Sequence, residues 1–564
     1  MKLRKPARWQ ARCAAVSVLM VAAVGCRAPG APPEGEVLRI GTVSPIDSVN
    51  PYTAGGDEGL NAVSMTYPRL VQYGPGNKVI PALATRWSKT DEGRSLILHL
   101  NPDARWSDGS VLGAQDVVWS ARTDLKYAKG ATASLASALG PVDKVSAVDT
   151  HTVKLSFTRK APSNILDLLT GFFVLPRTVW KDEVGKDGAG LLSFRPQDSL
   201  PMVSGGPFTI TRLEEKGTTV YRPNPRYYGA RPTLKAVTLT YYTNAEALVS
   251  DLIAGNLDFV NQLPSTTADA LRKAGKVRVT TADGPMRSDI IFNSNPAKPR
   301  NRELLDPRVR EALERGVDRQ RIAKVVFGGY AQPYANLISP MSNDAWRDPK
   351  IKPLAFDADA ANRALDALGY RRGKDGIRIA PATTGRHPQP AHRMDYEIIT
   401  PGDLTFDVNR QFKIVQSDWA KLGVKVTQLP SGDTAQTFDA LSAPDYKYEK
   451  ADIGMWTWGG NVDPSFNLSL LASDQLGNLN DTGFSDPAYD RLFQEQARAG
   501  SLAQRRDIVH QLQQIAARQR PYIFLVNTSL ISAARPGWSG FAPRTIGACD
   551  CYYADVKHVQ GDAR

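Results

Sequence analysis

Phe406 to Val426 reads FDVNRQFKIVQSDWAKLGVKV. Val408, Phe412, Val415, Trp419 and Leu422 recur at helical spacing, so the segment is expected to be a helix with one apolar face. Gly423 ends it, because glycine accepts left-handed backbone at little cost. Val424-Lys425-Val426 then reads as a strand. Helix, glycine, strand is half of a βαβ unit, which places the chain in the α/β class with mixed sheets.

The same signals recur on either side. Asp306-Pro307 reads as an N-cap followed by proline at the first helical position, with Val309, Ala312 and Leu313 on one face. Asp318 can cap a second helix that stops at Gly328-Gly329. Asp357 opens a third, ending at Gly369, and Asp486-Pro487 begins a fourth through Tyr489, Leu492 and Phe493. Strands are expected at Leu96–Leu100, Val153–Phe157 and Val237–Tyr241, the last two with apolar and polar residues alternating. No internal repeat and no heptad run occurs.

The chain has 564 residues, enough for three to four domain-sized units. Apolar residues make up 42% and charged residues 23%, the balance of a packed globular protein rather than a disordered one. The net charge is +13. Lys2, Arg4, Lys5, Arg8 and Arg12 precede any acidic residue, and without them +8 remains. That surplus is modest, and no basic stripe interleaved with aromatics appears, so nucleic-acid binding is not expected.

Those five basic residues lead into an apolar stretch, Cys13 to Gly25 (CAAVSVLMVAAVG), too short to cross a bilayer but suited to a signal-peptide core. It ends in Ala23-Val24-Gly25-Cys26, which resembles a lipoprotein lipobox: small residues, then a cysteine whose thiol takes diacylglycerol. Residues 1–25 are therefore expected to be a signal peptide and Cys26 the lipidated residue. Residues 26–35, rich in proline and glycine, would be a tether. No later apolar run is long enough to span a membrane. The expected location is the extracytoplasmic face of the cell membrane, with the chain held by lipid. Cys549 and Cys551 remain in the body. An oxidising compartment favours a disulfide between them, though so short a ring is strained. Two free thiols, or half of a metal site with His558, are the alternatives.

Several segments, in order along most of the mature chain, resemble the extracytoplasmic solute-binding proteins of the peptide/nickel class, family 5, which serve ABC importers. Tyr67–Tyr73 running into Val79–Trp87 is similar to the family's "L-x-x-Y … x-P-x-L-A-x-x-W" passage. Trp106-Ser107-Asp108-Gly109 with Ala114–Ser120 resembles its "F-x-D-G-x-x-x-x-A-x-D-V-x-x-S". Gly205–Phe208, Arg222–Tyr228 and Leu248–Asp258 follow. Asp306–Leu313 with Val317-Asp318-Arg319 looks like "D-x-R-V-R-x-A-L … x-D-R". Asp463-Pro464, Phe484–Pro487 and Arg520–Ile523 close the series. The resemblance implies a type II periplasmic-binding clamshell of two lobes with an extra domain, the first domain being discontinuous. Domain I would take 36–75, 204–285 and 525–564, domain II 76–203, and domain III 286–524.

In such a fold the ligand is enclosed between the lobes. Asp452 to Asp463 (DIGMWTWGGNVD) is the most ligand-like stretch: Trp456 and Trp458 could supply apolar walls beside Gly459-Gly460, with Asn461 and Asp463 adjacent. Core packing is the competing reading for each indole. Peptide-binding members carry an acid three residues before the acid-proline step, where it pairs with the peptide's α-ammonium. Here that position is Gly460. Ser44, Asn50 and Tyr52 border the cleft by position, and Met286 and Asn293 lie near the crossing into domain III.

The chain lacks a phosphate loop of the form G-x-x-x-x-G-K-[ST] and a complete G-x-S-x-G elbow. His387 and His392 lie in a charged, proline-rich segment, Gly385 to Glu397, that reads as a solvated loop rather than a metal site. No catalytic residue, resident metal or cofactor is expected. The expected role is a monomeric receptor that binds a small solute, an oligopeptide foremost, and passes it to an ABC permease and its ATPase. An oligosaccharide, metal chelate or other small polar metabolite is the alternative ligand. A secreted lipoprotein hydrolase is the competing class.

Overall fold

The computed structural model describes residues 36–558 apart from 75–76, 343, 385–386, 403–407, 433, 445–446 and 542–554. The expected signal peptide and tether, Cys26, Cys549 and Cys551 lie outside the described residues.

The opening motif completes itself. Strand Asp395–Pro401, helix Val408–Lys421 and strand Lys425–Ser431 follow one another, and the two strands pair in parallel. Phe412, Val415 and Trp419 are fully buried, and the Trp419 indole donates to the Leu313 carbonyl at 3.0 Å. Gly423 has φ +76°, the left-handed turn that frees the chain to reverse into the strand. All four capped helices form. Asp306, Asp318, Asp357 and Asp486 each accept backbone N–H bonds in the first turn of the helix that follows.

The segment read as a solvated loop is only partly one. Asp395 and Glu397 belong to strand Asp395–Pro401, because Tyr396, Ile398 and Thr400 alternate with them and are buried. His392 lies 3.2 Å from Glu303, on a short edge strand.

Strands from both halves of the chain join one eleven-stranded mixed sheet. At one end are Lys425–Ser431, Asp395–Pro401 and Ile453–Trp458; at the other are Val37–Thr42, Ala236–Tyr241, Thr218–Pro223 and Phe208–Arg212. A separate antiparallel sheet orders Ala84–Thr90, Ser95–Leu100, Thr152–Ser156 and Lys144–Asp149.

The apolar core divides accordingly. One cluster runs from Leu38 through Leu239 and adds Phe259, Ala534, Trp538 and Val556, forming a first lobe. On the opposite face of its sheet a smaller cluster holds Leu248, Leu252, Val260, Leu271 and Ala533. The neighbours Phe259 and Val260 fall in different clusters, as do Ala533 and Ala534, because successive strand residues point to opposite faces. The second lobe is built on residues between Ile290 and Val526.

Two long strands, Arg278–Phe292 and Tyr522–Ala534, join the lobes. They pair antiparallel from Arg278 with Ala534 to Ile291 with Tyr522, and the register slips between Asp283 and Arg287. Ile531 and Ala533 pack into the first lobe, whereas Ile290, Phe292, Ile523 and Leu525 pack into the second. At the slip, a Cβ on Gly284 would sit 2.3 Å from the Thr528 carbonyl oxygen, so only glycine permits the strands' approach. A bulged strand pair with one end in each lobe is the geometry of a hinge.

Candidate functional site

The lobes meet along a seam beyond this hinge. Tyr73 of the first lobe packs against Val462 of the second. The Asn164 amide donates to Asp463 Oδ2 at 3.1 Å, and the Asn77 amide donates to the Met341 carbonyl at 2.6 Å. Two cavities flank the contact. One, of about 430 Å³, is walled by Arg69, Tyr73, Asp167 and Gly171 from one side and Met341, Asn461, Asp463 and Phe466 from the other. The second, of about 400 Å³, includes Lys78, Leu166, Asp167, Trp346, Val462 and Arg506. Both volumes suit a small solute. A cavity of about 540 Å³ elsewhere is lined by hinge residues Asp283 and Asn527 and by residues 332–353, none from the first lobe's core. Its contents would not bridge the two lobes, so the seam is the better candidate.

The electrostatics of the seam centre on two carboxylates. Asp463 is held by Arg505, with Nη1 at 2.6 Å from Oδ2 and Nη2 at 2.9 Å from Oδ1, and its Oδ1 also accepts the Ser465 N–H. Burial opposes its charge, but the Arg505 guanidinium keeps its pKa below the ordinary range. Arg505 is fully buried, donates as well to Gln496 and Ser465, and stacks over Trp346 at 4.9 Å. Asp167 faces Asp463 from helix Ile165–Leu169. Burial, and next the charge of Asp463, raise its pKa to about 6. The Tyr73 hydroxyl donates to Asp167 at 3.3 Å, and burial raises the phenol's own pKa.

The sequence-derived candidates fall in three places. Asn461 and Asp463 are on the wall of the first cavity. Gly459, Gly460 and Trp458 lie just behind it. Trp458 is half-buried, donates its indole N–H to Asp481 at 2.8 Å and meets the edge of Phe466, which does line the cavity. Met286 stands beside Gly459 at the hinge bulge, its sulfur 3.3 Å from where a Gly459 Cβ would be. The remaining candidates tie the scaffold together. Trp456 is 2% exposed and packs on Phe438 and Trp458 in the second lobe's core. Asn50 donates to the Leu191 and Phe194 carbonyls, and Tyr52 donates to Asp124 and rests edge-on against Trp180. Asn293 donates to the Tyr448 and Ala451 carbonyls, and Ser44 closes a local turn with Thr42. Arg69, Tyr73, Asn164, Asp167 and Arg505 escaped the sequence reading. Asn164 and Asp167 are polar residues three apart in the otherwise apolar stretch Asn164 to Leu169, a signal that marks helix spacing but not which lobe they face.

Among the described residues, no group of three or more His, Cys, Asp or Glu side chains could hold a metal, and no helix is long and apolar enough to cross a membrane.

Comparison with known proteins agrees with this geometry. Residues 78–478 match the family model described as bacterial extracellular solute-binding proteins, family 5, middle. The heme-binding protein A of Haemophilus influenzae is 25% identical over 510 residues, 86% of each chain. The dipeptide-binding protein of Escherichia coli is 23% identical over 520 residues, 88% of this chain and 90% of that one. Among solved structures, the oligopeptide-binding protein AppA of Bacillus subtilis, in complex with a nonapeptide, superposes with a TM-score of 0.69 at 20% identity, covering 94% of this chain and all of that one. NikA of Brucella suis, in complex with Fe(III)-EDTA, gives 0.76 at 18%, over 93% and 99%. The shared fold is the type II periplasmic-binding clamshell. With a family model spanning most of the chain, two lobes on a hinge and solute-sized cavities in their seam, this chain belongs to the bacterial extracellular solute-binding proteins of family 5, which bind solutes for ABC importers and are not enzymes.

Proposed function

We propose that this protein is a lipid-anchored receptor that encloses a peptide-like solute between its lobes and delivers it to an ABC permease. The observation that carries the reading is the pair of cavities at the seam, walled from both lobes beyond a two-strand hinge. A solute touching both walls is bound more tightly by the closed form, so it shifts the population toward closure, and the permease reads that state. The relatives named for dipeptides and oligopeptides support a peptide-like ligand. Cys26, placed after Ala23-Val24-Gly25, supports attachment by diacylglycerol at the extracytoplasmic face, and two or more acyl chains make such attachment stable. The two hinge strands, which cross between the lobes near 285 and 525, support domain III as a separate unit, and the separate sheet within Ala84–Ser156 supports a domain II inside 76–203; the division of the first lobe otherwise rests on the family resemblance.

One observation favours a second ligand class. Gly460 has no room for a side chain, since its Cβ would lie 2.0 Å from the Ser339 Cβ. An acid at that position is excluded, and a sugar, metal chelate or other polar metabolite needs none. Thermal-shift measurement against panels of di- to pentapeptides, oligosaccharides and nickel or iron chelates separates the two. A rise in melting temperature with peptides alone supports the first reading. A rise only with sugar or chelate overturns it.

A further inference from the structure

The two seam cavities differ in chemistry. Charged side chains, Arg69, Asp167 and Asp463, meet in the first. The second, of about 400 Å³, is mainly apolar: the first lobe contributes Val79 and Leu166, and the second contributes Trp346, Val462 and Leu502. Leu502 is 55% exposed, and an apolar occupant of the cavity would take it out of water. Two cations, Lys78 and Arg506, share the wall. Among the described residues Lys78 has no acidic partner within ion-pair distance, and Arg506 has only its exposed neighbour Asp507, at 3.7 Å. Leu502 and Arg506 stand four apart in helix Leu502–Gln519, so one helix face presents an apolar side chain beside a charge. Asn77 and Asp167, also on the wall, are engaged elsewhere. The Asn77 amide donates to the Met341 carbonyl, and Asp167 accepts the Tyr73 hydroxyl with the charge of Arg505 acting on it.

We propose that this second cavity binds an amphipathic carboxylate, an apolar chain ending in one negative charge. The inference rests on the lobes closing over the seam, as read above, but not on the first cavity's solute being a peptide. The chain lies against Leu166, Val462, Leu502 and the Trp346 ring, and the carboxylate meets Lys78 and Arg506. Lys78 precedes Val79, which packs on the first lobe's core, whereas the helix of Arg506 packs in the second lobe through Val509 and Leu512. One carboxylate between the two cations therefore draws the lobes together and favours closure. Both cations are exposed, so their attraction is screened and sets the sign of the ligand's charge, while the apolar chain supplies most of the affinity. A neutral chain leaves the cations unmatched, and an ammonium is repelled by them.

The test is calorimetric titration of the full chain with decanoate, decylammonium and butyrate, with small-angle scattering of the decanoate mixture. Decanoate should bind and reduce the radius of gyration. Butyrate keeps the charge but is shorter by six methylenes, and should bind at least about 100-fold more weakly. Decylammonium keeps the chain and reverses the charge, and should bind about 10-fold more weakly. Replacing both cations, Lys78→Gln with Arg506→Gln, should weaken decanoate about 3- to 10-fold and narrow the gap to decylammonium. A urea midpoint checks the folding of this variant, and the comparison of ligands on the wild type needs no variant at all. If decanoate does not bind, or if decylammonium or butyrate binds as well, the proposal is overturned. Decanoate binding that the double variant leaves unchanged places the amphiphile elsewhere and overturns it too. Binding with an unchanged radius of gyration overturns closure over the seam while the ligand class stands, and a peptide titration of the same chain reads the peptide proposal separately.

Discussion

Arg505 reaches Asp463 through both terminal nitrogens, at 2.6 and 2.9 Å, and thereby fixes the carboxylate that receives Asn164 from the other lobe. The guanidinium is fully buried and Asp463 is 12% exposed. Removing one partner of such a pair leaves the other charged in a poorly solvated place. Arg505→Ala is therefore expected to lower the unfolding free energy by about 3–5 kcal/mol in urea titration. Replacing both partners by apolar residues, Arg505→Met with Asp463→Leu, should recover most of that loss. A loss below about 1 kcal/mol in the single variant would show that water already solvates the pair.

Gly460 is confined by packing rather than by backbone angle. A methyl group there would overlap Ser339 Cβ at 2.0 Å and crowd the Asn467 amide at 2.8 Å. Gly460→Ala should cost about 1–3 kcal/mol, the range for overfilled cores. Ser339→Gly in the same chain should restore a large part of it. Thermal unfolding of the two variants and their combination measures the coupling. Additive losses would mean that the loop moves aside instead of colliding.

The elements were legible because local chemistry and tertiary packing agree. Asp306-Pro307, Asp486-Pro487 and Gly423 act through their own backbone, so a cap or a stop can be read without knowing the partner. The site was less legible, because its residues matter for what they face. Trp456 and Trp458 lie two apart on one strand and so share a face, yet one is 2% exposed and the other half-buried beside Asp481. Asn50 and Asn293 look like ligand groups in sequence, but each satisfies carbonyls more than 140 residues away. Asp167 and Asp463 are separated by almost 300 positions and meet only through the hinge. Spacing along the chain carries no record of that meeting.

Stability should fall as pH rises toward the alkaline side of neutrality. Burial raises Asp124 to about 8, Glu58 to about 7 and Asp481 to about 7 in the folded protein, against about 4 in the unfolded chain. A raised pKa means that the folded state holds the proton more tightly. The contribution is complete below the unfolded pKa, near pH 4, and is lost as the pH climbs through the folded value. Urea midpoints should thus decline from pH 5 to pH 8.5. Asp124 accepts the Tyr52 hydroxyl at 3.0 Å, a bond that an asparagine oxygen can also accept. Asp124→Asn should therefore flatten the slope by up to one proton without abolishing folding. Midpoints that rise over this interval, or an unchanged slope in the variant, would contradict the assignment.

The hydrogen bond from Asn164 to Asp463 forms only when the lobes touch, so its energy belongs to closure and not to either lobe's own folding. A bond to a charged acceptor contributes about 1.5–3 kcal/mol. Losing it lowers the closed population by that amount in the unliganded protein. Affinity for any solute that requires closure falls by the fraction of closed form lost. Asn164→Ala is expected to weaken ligand binding about 10-fold or more, chiefly through slower closure and faster release, while each lobe keeps its unfolding free energy within about 1 kcal/mol. Small-angle scattering should show a larger radius of gyration for the unliganded variant and the wild-type value at saturating ligand. The Asn77 contact with the Met341 carbonyl spans the same seam, so Asn77→Ala should act in the same direction. Removing both should give a non-additive effect, because once the lobes part, neither contact remains to be lost.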